Sequence, residues 1–356
     1  MKLLIGGSPC THWSIAQNKH RETEASGIGW ELFLNYRLAR DKYQPDYFLY
    51  ENNKSMSAVI RAQITSELGV EPVLINSALV SAQKRQRLYW AGKREQDGTY
   101  SQVRVDQPED RGILLRDILE TGIHWCEKGC ALTASGHSAT AEDVIIRRQR
   151  NKVAIPVNDT VDGKAQCLRA TYYKDGIRNM VGNVIDRKTC VAIPVCVDAM
   201  MGEVVGAKLP IYQVCNRSIT IKGKEYPIRL ADGFYLIRKL SVPECKRLQT
   251  VPDNYVFPVS NTQAYKMLGN GWTVDVIAHI MSHFDGLAEE PVEVLSMYDG
   301  MSCGHIALDK LGVDVATYYA TEIDKYAIQT TQYNYPETVQ LGDAFQVRDN
   351  GWRYER

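Results

Sequence analysis

VEVLSMYDGMSCGHIALDKLG, residues 292–312, decides the fold. Residues 292–298 form an apolar run of strand length, 299–304 (DGMSCG) a glycine-containing turn, and 305–311 a helical pattern. The grammar then repeats. VATYYAT, 315–321, reads as a strand ending at Glu322, a helix fits 324–334, and a strand at 338–341 ends at Gly342-Asp343. Strand, turn and helix followed by an acid at the next strand end is the pattern of a nucleoside-binding Rossmann unit, whose ligands sit at the carboxyl ends of the strands. Gly300 and Gly304 allow close backbone approach to such a ligand. Glu322 suits ribose hydroxyls, and Asp343 an adenine amine. A full G-x-G-x-x-G run is absent, and residues 289–356 hold 12 acids and 5 bases. Both facts disfavour a pyrophosphate and favour a cationic ligand such as S-adenosylmethionine. Taken alone, the block is also compatible with a structural αβα unit with ordinary turn glycines, the less favoured reading.

Toward the N-terminus the grammar recurs. KLLIGGSPC, 2–10, reads as a buried strand running into a loop. Strands are expected at 46–53, 72–80 and 87–91, and helices at 28–40 and 55–68. Strands alternating with helices imply an α/β fold with a mostly parallel sheet. Pro9-Cys10 and Glu51-Asn52 then end neighbouring strands. An exposed Cys10 thiolate is a strong nucleophile, although a lone cysteine is more often inert. A carboxylic acid at 51 can donate to or protonate a ring nitrogen. Gln83, Arg85 and Arg87 alternate along QKRQR, and period-two spacing points them to one face. That makes a planar donor array for phosphate or a base edge, or else a solvated basic strand end.

The middle, 98–236, holds short β-like runs and many turns, with VAIPV at 153–157 and again at 191–195. We read it as an inserted β-rich unit, after which helical patterning resumes at 241–250 and 272–285. Residues 147–188 carry 10 Lys/Arg and 4 Asp/Glu, a candidate phosphate-contacting strip or a plain charged surface. Over all 356 residues, 42 basic and 42 acidic side chains cancel, which argues against a non-specific DNA coat without excluding a local basic groove. Nine scattered cysteines suggest a reducing, cytoplasmic compartment. Cys126 and Cys130 lack a second close cysteine pair, so no metal is expected. The apolar run near the N-terminus is too short for a signal peptide, and no stretch approaches the roughly 18 apolar residues of a membrane span.

Together these pieces resemble the DNA (cytosine-5)-methyltransferase family. GGSPC is similar to its Pro-Cys motif, ENN to its Glu-Asn motif and QKRQR to its Gln-x-Arg-x-Arg motif. RKLSVPECKRLQTVPDNY, 238–255, resembles the motif that organises its recognition domain, and GNGWTVDVIAHI, 269–280, its last motif. VLSMYDGMSCGHIALDKLG, 294–312, resembles its first, with Glu322 and Gly342-Asp343 as the second and third. Thr11 and Asn53 depart from the residues usual after Pro-Cys and Glu-Asn. The family normally places its cofactor motifs first; here they come last, so the chain resembles a circular permutation.

The resemblance implies a Rossmann-like, class I S-adenosylmethionine-dependent methyltransferase with a mostly parallel, doubly wound sheet and a smaller β-rich target-recognition domain. The implied units are a catalytic half (1–97), the recognition domain (98–236), a return segment (237–285) and a cofactor half (286–356). It implies a catalytic set of Cys10, Glu51, Arg85 and Arg87. Cofactor contacts fall to Pro9, Asn270, Tyr298, Asp299, Gly300, Gly304, Glu322, Ile323 and Asp343. Ser14, Gln17, Asn52, Gln83, Thr171 and Tyr172 are the implied DNA contacts, with 11–29 a mobile loop closing over a base flipped from the stack. The implied substrate is double-stranded DNA, methylated sequence-specifically by a nucleoid-associated monomer of bacterial or phage origin. It is an orphan or works beside a separate restriction endonuclease. The alternatives are a tRNA cytosine-5 methyltransferase, whose usual Cys-Phe-Thr element is absent, an inactive DNA-binding homologue, and a nucleotide-dependent oxidoreductase.

Overall fold

Residues 3–6 and 47–53 carry no position that faces water, as expected of strands covered on both faces. In the computed structural model, which describes residues 1–9, 12–14, 21–120, 126–132, 142, 145, 152–156 and 211–351, they form the centre of a large sheet. In chain order, β1 (Lys2–Gly6), α1 (Gly27–Tyr43), β2 (Tyr47–Asn53), α2 (Ala58–Leu68) and β3 (Val73–Asn76) come first. They are followed by β4 (Gln83–Lys84), β5 (Gln86–Arg94), β6 (Tyr100–Gln102), α3 (Leu115–Ile118) and β7 (Gly129–Cys130). Strands β8 (Lys152–Pro156), β9 (Ile211–Cys215), β10 (Ser218–Ile221), β11 (Lys224–Pro227) and β12 (Gly233–Lys239) come next. Then come α4 (Val242–Leu248), α5 (Asn261–Asn270), α6 (Val274–Met281), β13 (Val292–Met297), α7 (Cys303–Lys310), β14 (Val315–Thr321), α8 (Lys325–Asn334), β15 (Val339–Gly342) and α9 (Ala344–Asp349).

The large sheet runs β15-β14-β13-β1-β2-β5-β3, with β6 added to β5. Pairing is parallel from β15 to β2, and β5 is antiparallel to β2, β3 and β6. Side chains alternate between two cores. Leu3, Ile5, Leu49 and Val294 face one core with Ile277 of α6 and Ile306 of α7. Leu4, Phe48, Tyr50 and Leu295 face the other with Phe33 of α1 and Ile60 of α2. The fold is therefore α/β, with a mainly parallel sheet covered on both faces. Strand β1 pairs with β13 from Lys2↔Glu293 to Gly6↔Met297, so the carboxyl ends of β1, β2, β13 and β14 share one edge.

A second, antiparallel sheet runs β11-β10-β9-β12-β8 around Ala154, Tyr212, Val214, Ile219 and Ile221. Its tight turns use Asn216 and Arg217 (φ 50° and 56°) and then Lys222 and Gly223 (φ 50° and 74°). Two consecutive left-handed residues match the twist of the flanking strands. The second VAIPV copy, the basic strip at 147–188 and CLRATYYKDG fall wholly or largely outside the described residues.

Two expectations change. The strand expected over 72–80 stops at Asn76, whose Oδ1 accepts from Ala78 N (3.2 Å) and starts a 3-10 turn at 77–79. QKRQR is not one strand: β4 ends at Lys84 and β5 begins at Gln86, breaking at Arg85 the alternation that would have aligned three donors.

Candidate active site

The chain leaves β1 through Gly7-Ser8-Pro9, and the neighbouring β2 ends in Glu51-Asn52-Asn53. Ser8 Oγ and the Tyr50 hydroxyl lie 2.6 Å apart. Asn52 Nδ2 donates to Ser8 O at 3.1 Å and to the Tyr50 hydroxyl at 3.2 Å. Asn52 is 1 % exposed, so it anchors the turn before Cys10 instead of facing outward as a DNA contact would. Burial raises the Tyr50 phenol far above its ordinary range, which leaves it a neutral partner. Pro9 is exposed; Cys10 lies outside the described residues.

Glu51 is the centre of the site. Its Oε1 is 3.0 Å from Arg87 Nε, and its Oε2 accepts from Trp272 Nε1 at 3.0 Å. Gly7 lies against it: a Cβ there would sit 3.1 Å from Oε2. Arg87 thus stands where the spacing put it, beside the carboxylate. The indole of Trp272, 221 residues away, had no local sequence signal; its only mark was a Trp inside a Gly-rich turn.

Arg85 and Gln83 correct the expected donor array. Arg85 is 3 % exposed, and its guanidinium donates to the carbonyls of Leu132 (3.0 Å), Gly269 (3.3 Å) and Gly271 (2.8 Å). Gln83 is fully buried, and its Nε2 donates to Leu248 O and Gln249 Oε1, both at 2.7 Å. The donors of Arg85 are spent on main-chain carbonyls of the GNGW turn and the 126–132 segment, which need partners once buried, and those of Gln83 on the Leu248 carbonyl and the Gln249 side chain. Asn270, at the end of α5, is exposed.

On the cofactor side, the turn after β13 is left-handed at Tyr298 (φ 59°), Gly300 (φ 61°) and Ser302 (φ 57°). Non-glycine residues held there cost about 1–3 kcal/mol each and cluster at functional sites. Asp299 organises the turn: its carboxylate accepts from Ser296 Oγ (2.6 Å), Tyr318 Oη (2.8 Å) and Ser302 Oγ. Burial, against those hydrogen bonds, pushes its carboxyl up to about 6. Glu322 Oε2 accepts from Gly300 N (2.8 Å), and its Oε1 from Ile323 N (2.7 Å) and Asp324 N (2.8 Å). Tyr298 donates its hydroxyl to Leu32 O (2.7 Å), and Asp343 caps α9 through Phe345 N (2.9 Å).

Gly304 has a packing role that its motif did not signal. A Cβ there would lie 2.1 Å from Ile5 Cδ1, so the close helix–sheet contact needs a glycine. Gly300 has nothing within 4 Å of that position. An open glycine cradle, the carboxylate of Glu322 and the side chain of Ile323, 75 % exposed, together fit S-adenosylmethionine. The acids suit its cationic sulfonium, Glu322 its ribose, and the apolar Ile323 its adenine.

Beyond Cys10, Trp13 is fully buried, and its Nε1 donates to Glu22 Oε2 (3.1 Å). Glu22 also accepts from Gly29 N (3.2 Å). The described flanks of the expected loop are thus tied together, and Gly27–Gly29 already belong to α1. Ser14 lies on the first flank and is half-buried; Gln17, Thr171 and Tyr172 lie outside the described residues. Among the described residues no helix is long and apolar enough to cross a membrane.

Comparison with known proteins bears on the family. The type II methyltransferase M.FnuDI of Fusobacterium nucleatum is 26% identical over 294 residues, covering 78% of this chain and 74% of that protein. The DNA (cytosine-5)-methyltransferase DRM2 of rice is 27% identical over 113 residues, 32% of this chain; the match spans only 19% of the rice protein. An Entamoeba histolytica methyltransferase structure, EhMeth, aligns over 80% of this chain and 77% of its own, with 13% identity and a TM-score of 0.40. The family model for C-5 cytosine-specific DNA methylases matches residues 1–285, the span that carries the Pro-Cys turn, Glu51, Arg87 and Trp272, and the chain belongs to that family.

Proposed function

We propose that this chain is a DNA cytosine-5 methyltransferase acting on a cytosine swung out of duplex DNA. The observation that carries this reading is the Glu51 carboxylate, held between Arg87 and Trp272 one strand away from the turn that leads into Cys10. C5 of cytosine is a poor nucleophile, and covalent addition at C6 makes it electron-rich. Cys10 thiolate forms that bond to C6. Glu51 engages N3 and the exocyclic amine and stabilises the charge that develops on the ring. Arg87 holds the carboxylate, while Arg85 shapes the GNGW turn. Gly300, Glu322, Ile323 and Asp343 would hold S-adenosylmethionine, which would supply an electrophilic methyl group to C5 and leave as the neutral thioether. Loss of the C5 proton with elimination of Cys10 Sγ restores the ring and the thiolate. Because a stacked base is out of reach, the target leaves the helix first.

We infer further that the motif order is circularly permuted. The parallel pairing of β1 with β13 supports this reading, because it joins the last motif-bearing block to the first strand at the sheet's centre. The 98–236 region is assigned to target recognition, on the strength of the basic strip at 147–188 and the second sheet.

Purified protein incubated with labelled S-adenosylmethionine and unmethylated duplex DNA or tRNA tests the reading. Transfer to DNA cytosine, abolished by Cys10→Ala, is expected. Transfer to RNA alone, or to neither, overturns it. Base-resolution mapping of methylated DNA then reads out the target sequence.

A further inference from the structure

Trp272 touches both halves of the site. Its indole N–H holds Glu51 Oε2, and its carbonyl accepts from Cys303 Sγ (3.7 Å), the first residue of the helix after the cofactor turn. The turn that carries it is clamped: Gly271 O accepts from Arg85 Nη2 (2.8 Å) and Gln249 Nε2 (3.2 Å), and Gly269 O from Arg85 Nη1 (3.3 Å). A Cβ on Gly271 would lie 3.2 Å from Cys303 Sγ, so the turn rests directly on that helix. The indole therefore has a main chain held on three sides behind it.

A carboxylate held at one oxygen still turns about its last bond. Held at Oε1 by Arg87 and at Oε2 by Trp272, its plane is set. Arg87 alone offers a second geometry, the two-pronged guanidinium–carboxylate pair, in which both oxygens turn toward the arginine and away from the base. We propose that Trp272 is the positioning residue that prevents this collapse and keeps Glu51 aimed at the cytosine. The proposal rests on the reading of Glu51 as the base-engaging carboxylate.

Trp272→Phe removes the N–H and keeps an aromatic ring; Trp272→His keeps a ring N–H at shorter reach. Methyl transfer is measured for both on the duplex the wild type modifies, with cofactor affinity by calorimetry and melting temperature alongside. Misplacing a reacting group by about 1 Å costs on the order of a hundredfold. The expected result is a fall in kcat of roughly ten- to a hundredfold for Phe, a smaller fall for His, and cofactor affinity within about twofold of wild type. Unchanged kcat overturns the proposal. So does a cofactor affinity that falls in step with kcat, which would place Trp272 in the cofactor site. If the Phe variant is not recovered folded, Trp272→Leu, which also removes the N–H, decides on the same two criteria. A wild-type enzyme that transfers nothing overturns the functional reading instead, before either variant is compared.

Discussion

Ile5 Cδ1 occupies the space that any side chain on Gly304 would need. The contact presses α7 onto β1 and brings the block carrying the cofactor turn against the strand that leads to Cys10. Both partners lie in the interior, Ile5 being fully buried, so neither can retreat into solvent. Overpacking of this kind costs about 1–3 kcal/mol, more than the roughly 1 kcal/mol that Gly→Ala gains inside a helix. Gly304→Ala is expected to destabilise the fold. Adding Ile5→Val, which deletes Cδ1, is expected to recover most of the loss. Urea unfolding of the two single variants and the double checks this, and Gly304→Ala at wild-type stability would refute it.

Asp299 makes stability depend on pH. Unfolded, its carboxyl ionises near the ordinary 3.8; folded, burial raises it to about 6. Between those values the folded chain keeps a proton that the unfolded chain has lost, so this group's contribution falls as pH rises through the window. The span corresponds to about 3 kcal/mol as an upper figure. Asp299→Asn removes the term. The difference in unfolding free energy between variant and wild type should therefore grow from pH 4 to pH 6 in the variant's favour, then level off. A difference independent of pH would contradict the buried-carboxyl account.

Arg85→Lys tests whether the residue acts through the main chain. A lysine cannot reach the carbonyls of Leu132, Gly269 and Gly271 together, and charged hydrogen bonds are worth about 1.5–3 kcal/mol each. We expect a clearly lower melting temperature and reduced methyl transfer, with affinity for DNA little changed. Weakened DNA binding at an unchanged melting temperature would return Arg85 to the role its spacing first suggested.

Glu322→Gln is expected to weaken S-adenosylmethionine binding by roughly ten- to a hundredfold, because it removes the charge that three backbone N–H groups and the ribose both favour. Equilibrium dialysis with labelled cofactor reads this directly. Wild-type affinity in the variant would exclude Glu322 from the binding site.

The parallel strands were legible because burial on both faces leaves continuous apolar runs, as in LLIG, 3–6, and YFLY, 47–50. The acids at strand ends were legible for the same reason: they break those runs at one edge of the sheet. Gln83 and Arg85 were misread because their partners lie at Leu248, Gln249, Gly269 and Gly271, in a segment that period-two spacing cannot sense. Trp272 was missed on the same ground. Helix α5 was not anticipated, although Ala264, Tyr265, Met267 and Leu268 trace a buried helical stripe; its polar first turn and the Gly at 269 obscured the period. Gly304 showed that a glycine in a turn-and-helix motif can have a packing role that the motif does not signal.

The pairing of Lys2 with Glu293 carries a cost paid during synthesis. At about 5–20 residues per second, β13 leaves the ribosome some tens of seconds after β1. For that interval β1 and β2 stand without the neighbour that completes the middle of the sheet, and an apolar strand presents an unpaired edge. Closing so distant a contact is slow, because loop-closure entropy must be met before the pairing returns anything. Yield of active enzyme should therefore depend on what shields that edge in the cell while the last block is being made.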